Sequence, residues 1–172
     1  MELKLEDLME YTEWERARWR TFFLKEGDGI FEINVGPNRD DRFETVGDWV
    51  SHIFSAEIRY IDRLMDRPLT DPASVPKRGV EAVFEFGKRS RAELKEFLQA
   101  EPAGGWNTPR DFQILTFSIR ATPKKIVTHV VMHEIRHWAQ IATVLRFNGY
   151  VDEFHDLLGS PVLGGAWQRA DR

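Results

Sequence analysis

The stretch Thr122–Asn148, TPKKIVTHVVMHEIRHWAQIATVLRFN, constrains this chain more than any other. Thr122 suits a helix cap and Pro123 the first helical position, and no proline follows until Pro161. Gly149 closes the run as a glycine just past a helix end does. Three of the five histidines, His129, His133 and His137, recur within it at intervals of four. With Ile126 at zero and 100° per residue, the apolar residues Val130, Ile141, Val127, Leu145, Trp138, Val131, Ala142 and Ile135 span roughly 40° to 180°. His133 and His137, near roughly 340° and 20°, border that stripe, while His129, near roughly 300°, lies further towards solvent. Glu134 falls at roughly 80°, inside the stripe, where a carboxylate needs a partner because burying an unpaired charge is costly.

Side chains one turn apart project side by side, so His133 and His137 can ligate one metal ion. His129 cannot join them on a straight helix, because it lies about 12 Å from His137 along the axis. The plain alternative is a set of ordinary helix histidines satisfied by neighbours and water.

Length and composition bound the rest. A chain of 172 residues is most simply one domain with a substantial core. Its net charge of −4 argues against a general affinity for nucleic acid or anionic membrane. The chain has no cysteine, hence no disulfide, no thiolate metal ligand and no thiol nucleophile of its own. The opening MELKLEDLMEYTEWERARW is too charged for a signal peptide and no apolar run reaches membrane-spanning length, so the default location is the cytoplasm. Six tryptophans and twelve phenylalanines point to an aromatic-rich core or pocket.

Taken in order, Leu5–Leu24 reads as a first helix, its apolar side including Met9, Tyr11, Trp14, Trp19, Phe22 and Phe23. Gly27–Arg42 is rich in breakers and reads as a long loop, with room for an extended piece at Ile30–Val35. A second helix begins at Thr45, with Asp48 completing a capping box, and stops before Pro68. Glu57 lies in the middle of its apolar arc, which suggests a buried salt bridge to an arginine or a site role; His52 lies outside the arc. Leu69–Lys77 reads as a linker loop, and Arg78–Gln99 as a third helix whose charges form a solvated face. Trp106–Arg120 alternates weakly and suits a hairpin or an irregular crossover. After the fourth helix, Val151–Leu158 has room for one or two more turns, and residues 159–172 read as a loosely ordered tail. The expected architecture is all-α, a single four-helix bundle over residues 1–172 with long crossover connections.

Three stretches resemble the DinB/YfiT-like superfamily of metal-binding four-helix bundles. They are Tyr11 and Trp14 in a Y-x-x-W arrangement, SHIFSAEIRYIDRL with His52 five residues before Glu57, and HVVMHEIRHWAQI. The last is similar to the family's H-x-x-x-H-R-G-Q-I pattern at His133, His137, Gln140 and Ile141, and departs from it at Trp138 and Ala139. The resemblance implies one divalent ion (Zn, Ni, Fe or Mn) on His52, His133 and His137, and it alone supplies His52 as a ligand. It also implies, from characterised relatives, a transferase using a low-molecular-weight thiol such as bacillithiol or mycothiol on a small electrophile. In that reading Glu134 or Gln140 orients the thiol or accepts its proton. Protons compete for imidazole, so occupancy is expected to fall below about pH 6.

Two other readings stand beside it. One is a non-catalytic stress- or DNA-damage-induced bundle whose metal stabilises the fold, or which dimerises through an apolar helix face. The other is a zinc peptidase, since His133-Glu134-Ile135-Arg136-His137 spells H-E-x-x-H. The extended peptidase form fails at Gln140 and Thr143, and Glu153 and His155 follow the helix break closely.

Overall fold

Four long helices and a two-stranded antiparallel sheet make up the computed structural model: α1 (Leu5–Glu26), α2 (Val46–Leu64), α3 (Val80–Ala100), β1 (Arg110–Ile114), β2 (Phe117–Ala121) and α4 (Pro123–Phe147). The structure describes residues 2–37, 43–100, 105–114, 116–151 and 155–165. The fold is mostly helical, and a small hairpin stands beside the four expected helices within Trp106–Arg120, the stretch that suited one. Its register pairs Phe112 with Ile119, and Phe112 and Ala121 turn inward to seal one end of the core. Between α1 and α2 the expected loop contains a 3-10 turn, Asp28–Glu32, which buries Ile30 and Phe31; the extended piece is a single bridge between Asn34 and Thr45. Among the described residues no helix is long and apolar enough to cross a membrane.

Helix ends follow local chemistry. Thr45 Oγ1 accepts from Asp48 N at 3.2 Å while Thr45 N donates to Asp48 Oδ2 at 3.1 Å, the reciprocal capping box. Thr122 Oγ1 accepts from Lys125 N at 3.1 Å, and Pro123 occupies the first turn, where a missing N–H costs nothing. Gly149 follows the α4 cap with φ of 82°, a conformation only glycine adopts without strain.

α1 and α2 each pack against both α3 and α4. The interior divides into two apolar clusters, one around Trp19, Phe23, Phe54, Phe84 and Trp138, the other around Ile61, Leu94, Phe112, Val127 and Val131. Along α2 and α3 the chain passes from the first cluster to the second, and along α1 and α4 it passes the other way. α2 therefore runs beside α3 in the same direction, and the segment joining them returns along the molecule.

Between the clusters lies a polar layer to which each helix contributes one charge. Arg16 of α1, Glu57 of α2, Arg91 of α3 and Glu134 of α4 are 7%, 1%, 4% and 1% exposed. Arg16 reaches Glu134 through Nε at 2.5 Å and Glu57 through Nη2 at 3.0 Å. Arg91 reaches Glu57 through Nε at 2.9 Å and Glu134 through Nη2 at 2.7 Å. Two cations face two anions, and the remaining valences are filled by neutral groups. Ser90 Oγ donates to Glu57 at 2.6 Å, Trp138 Nε1 to Glu134 at 3.1 Å, and Arg91 Nη1 to Thr12 Oγ1 at 2.9 Å. Arg16 Nη1 also donates to Gly87 O at 3.0 Å, where a Cβ on Gly87 would stand 2.7 Å from the Phe54 ring. So close an approach needs glycine. Arg91 corrects the expectation that the charges of α3 are all solvated, whereas Glu57 has the arginine partners its position suggested.

The chain after α4 returns to α1. Residues 159–165 of the expected loose tail include the buried Ser160 and Val162, and the remainder lies outside the described residues. His155 Nδ1 lies 3.0 Å from Glu15 Oε1, its ring sits 4.8 Å from that of Trp19, and Tyr11 OH donates to its carbonyl at 3.0 Å. Burial raises the Glu15 carboxyl to about 7, against the downward pull of His155.

Replacing Glu134 or Glu57 by Gln leaves the layer with an uncompensated buried cation and is expected to lower the unfolding free energy by roughly 3 kcal/mol or more in denaturant titrations. Unchanged stability would place these carboxylates in solvent. Glu15 carries the opposite pH signature. Its folded carboxyl keeps a proton up to about pH 7, whereas the free side chain releases one near 4.5, so its contribution is full below 4.5 and is lost as pH rises through 7. The stability of Glu15→Gln relative to the parent is therefore expected to rise by on the order of 2 kcal/mol between pH 5 and 8.

Candidate metal centre

The polar layer fixes the rotation of α2 and α4, and with it the position of the histidines. Glu134 holds its side chain inward, so the neighbouring His133 and the next-turn His137 emerge along one border of α4. Glu57 does the same for α2, where His52 emerges on the side facing α4. His52 Nε2 and His133 Nε2 lie 3.1 Å apart, and His137 Nε2 and His133 Nε2 lie 3.0 Å apart. One nitrogen of each of these three residues falls within 4.8 Å of the other two.

This donor set fits a divalent cation. Zinc bonded to imidazole at about 2.05 Å in a tetrahedral arrangement sets neighbouring nitrogens about 3.3 Å apart, close to the spacing observed. Neutral imidazoles alone do not settle the cluster: His133 Nε2 carries either one lone pair or one proton and faces two other ring nitrogens. Burial, then the nearby His137, His52, His129 and Arg136, pushes His133 down to about 2. It is neutral, as a ligand must be, far below the ordinary histidine value of 6.5.

Residues around the triad set its orientation and exposure. His137 is buried beside Trp49, their rings 6.4 Å apart, and the His52 ring lies 4.5 Å from Phe43. His129 is outside the cluster; its Nε2 is 3.3 Å from Tyr60 OH. A cavity of about 390 Å³ opens beside His52 and His133, walled by Phe43, Tyr60, Val75 and Ile114 among others. Ile114 belongs to β1, so the hairpin that sequence periodicity marked only weakly closes one side of it.

The two expected catalytic residues fall elsewhere. Glu134 directs its carboxylate to Arg16, Arg91 and Trp138 and belongs to the core, away from any thiol or water beside the histidines. Gln140 is exposed on α4 and is not part of the cavity wall. The departures at Trp138 and Ala139 are accounted for at the first position: Trp138 is fully buried, stacks on Trp19 at 5.4 Å and donates to Glu134. Sequence reading missed Arg59 and Arg63 in the cavity wall. Their signal was present, since positions seven and eleven beyond His52 lie within roughly 20° of it on a helix.

Four long helices with a histidine cluster shared between α2 and α4 define a helical protein whose three clustered histidines could hold a metal ion. The chain matches the DinB family over residues 1–163 and belongs to it. No curated protein matches it.

One divalent ion per chain is expected in protein loaded with zinc and desalted, measured by elemental analysis. His133→Ala or His137→Ala should abolish binding, whereas His129→Ala should leave the stoichiometry unchanged. Retained metal in His137→Ala together with loss in His129→Ala would overturn the ligand assignment.

Proposed function

We propose that this DinB-family protein is a metal-dependent transferase that joins a low-molecular-weight thiol to a small electrophile. The observation that carries this reading is the triad's position: three imidazole nitrogens converge beside a cavity that is large enough for a small molecule and has His52 and His133 in its wall. Structural zinc normally has four protein ligands, whereas three leave a position for an exogenous one. A chain without cysteine must take its sulfur from outside.

His52, His133 and His137 would hold a divalent ion, which would supply the Lewis acidity that lowers the pKa of an exogenous thiol. The protein's residues do the rest. His133 stays neutral because it is buried, and so offers its lone pair without first losing a proton. Phe43, Val75 and Ile114 give the cavity an apolar side against which a carbon electrophile packs and from which water is displaced. Sulfur bonds to the electrophilic carbon as that carbon's bond to its leaving group breaks; the electron pair departs with the leaving group, and the thiol's proton passes to solvent. We assign no step to Glu134 or Gln140.

The peptidase reading loses its general base, because the Glu134 carboxylate is held by two arginines and an indole. Of its suggested downstream ligands, His155 faces Glu15, and Glu153 lies outside the described residues.

Cobalt-substituted protein mixed with bacillithiol, mycothiol, glutathione and coenzyme A should show a change in its visible spectrum with at least one of them. Consumption of that thiol with a chromogenic electrophile should require metal and disappear in His137→Ala. If no thiol alters the spectrum, the transferase reading fails and a non-catalytic metal-binding protein takes its place.

A further inference from the structure

The cavity beside the histidines has a second end, and its chemistry is cationic. Arg59 and Arg63 of α2 both wall it, one helical turn apart and half-buried. Like charges so placed repel each other. Asp62 offsets it at Arg63 only in part, since the net effect of the surroundings there is still a lowered pKa, and the hydrogen-bond partners of both arginines carry no charge. Arg59 Nη1 donates to Thr70 O at 2.7 Å, and Arg63 donates through Nε to Gln113 O and through Nη1 to Arg59 O, both at 2.8 Å. All of these acceptors are neutral carbonyls. Among the described residues no carboxylate forms an ion pair with either guanidinium.

The nearest acids are engaged elsewhere. Asp62, between the two arginines in sequence, is 1% exposed; its Oδ1 accepts from Arg67 at 2.6 Å and its Oδ2 from Thr70 N at 2.7 Å. Asp48, also in the wall, pairs with Lys77 at 3.0 Å and caps α2. Although partial burial pushes Asp48 up, Lys77 and the N–H groups of Glu44 and Thr45 hold it below the usual carboxylate range. That pair is neutral. Burial and then the charge of Arg59 lower Arg63 from its usual value, yet a guanidinium stays protonated in a protein. The carbonyl bonds hold both groups in place at the wall, and Arg59 Nε and Nη2 and Arg63 Nη2 have no bond to the described residues.

We infer that Arg59 and Arg63 form an oxyanion subsite, which takes the carboxylate or phosphate of the molecule whose other end reaches His52, His133 and His137. Guanidinium N–H groups match the oxygens of such anions in both charge and geometry. The inference rests on the ligand-binding reading of the cavity and adds a class to it: one of the two reactants, the thiol or the electrophile, is an anionic oxyacid. A pair of unneutralised arginines facing a small-molecule cavity serves that purpose, whereas a pair that only tied Thr70 and Gln113 to α2 would need no access to the cavity.

Calorimetric titration of zinc-loaded protein with glutarate, inorganic phosphate and the neutral glutaramide tests this. At least one anion should bind about tenfold or more tightly than glutaramide, the size expected of one charge-assisted hydrogen-bonded contact, and the better anion identifies carboxylate or phosphate as the natural group. Arg63→Gln should weaken the preferred anion by about tenfold and leave glutaramide binding and zinc content unchanged. Arg63→Lys, with charge but no planar fork, should fall between, and melting temperatures establish that each variant is folded. Equal binding of anion and amide by the parent, or an anion preference that survives Arg63→Gln, overturns the subsite. A lowered melting temperature with the preference intact does the same, because it makes Arg63 a loop tie. The thiol reading is tested separately by 2-mercaptoethanol on the cobalt protein, which needs no arginine. Spectral silence there alongside Arg63-dependent anion binding removes the thiol and keeps the subsite; the reverse pattern removes only the subsite.

Discussion

Arg16, Glu57, Arg91 and Glu134 form the interaction on which the rest of the structure depends. One comes from each long helix, and together they make a neutral cluster between the two apolar clusters of the interior. Bringing four charges out of water is unfavourable, so the arrangement is tolerable only when every oxygen and guanidinium nitrogen finds a partner. Thr12, Ser90, Trp138 and the carbonyl of Gly87 complete that set. An apolar core tolerates small slides and rotations of its helices, because one methyl group replaces another. A cross-braced layer of directional bonds does not, since a helix displaced by one turn strands a charge.

That layer connects the core to the site. Glu134 is adjacent to His133 in sequence, and Glu57 lies five residues past His52, so locking the carboxylates inward sets the angle at which the imidazoles leave α4 and α2. Ring nitrogens 3.0 and 3.1 Å apart need helices positioned more accurately than apolar packing alone ensures. The same residue types divide by environment. Although burial pushes Glu57 up, Arg16 and Arg91 hold it below the usual carboxylate range, whereas Glu15, facing a single histidine, is pushed up to about 7.

The cavity continues this division of labour. His52 and His133 form one end, aromatic and aliphatic groups a side, and the other end has two arginines with no carboxylate ion pair among the described residues. α2 supplies His52, Arg59 and Arg63 from one face while Glu57 holds the opposite face in the core. A single amphipathic helix thus carries both the structural charge and the ligand-facing charges, separated only by rotation about its axis.

Much of this was legible in the residues alone. Helical periodicity, the Thr45 and Thr122 caps, the stop at Gly149 and the pairing of His133 with His137 are local consequences of 3.6 residues per turn, and a sequence determines local geometry directly. Glu57 and Glu134 could be recognised as buried charges in need of partners for the same reason. The partners themselves were not legible: Arg16 and Arg91 look like any other charges on helices rich in them, and only the juxtaposition of four helices separates the two that turn inward. His52 entered through family resemblance, because it lies outside its helix's apolar arc and gains meaning only opposite α4. Glu134 illustrates the limit most plainly. Its place in an H-E-x-x-H string suggested chemistry, its place in the apolar stripe suggested burial, and tertiary structure decided for burial because two arginines from other helices meet it there.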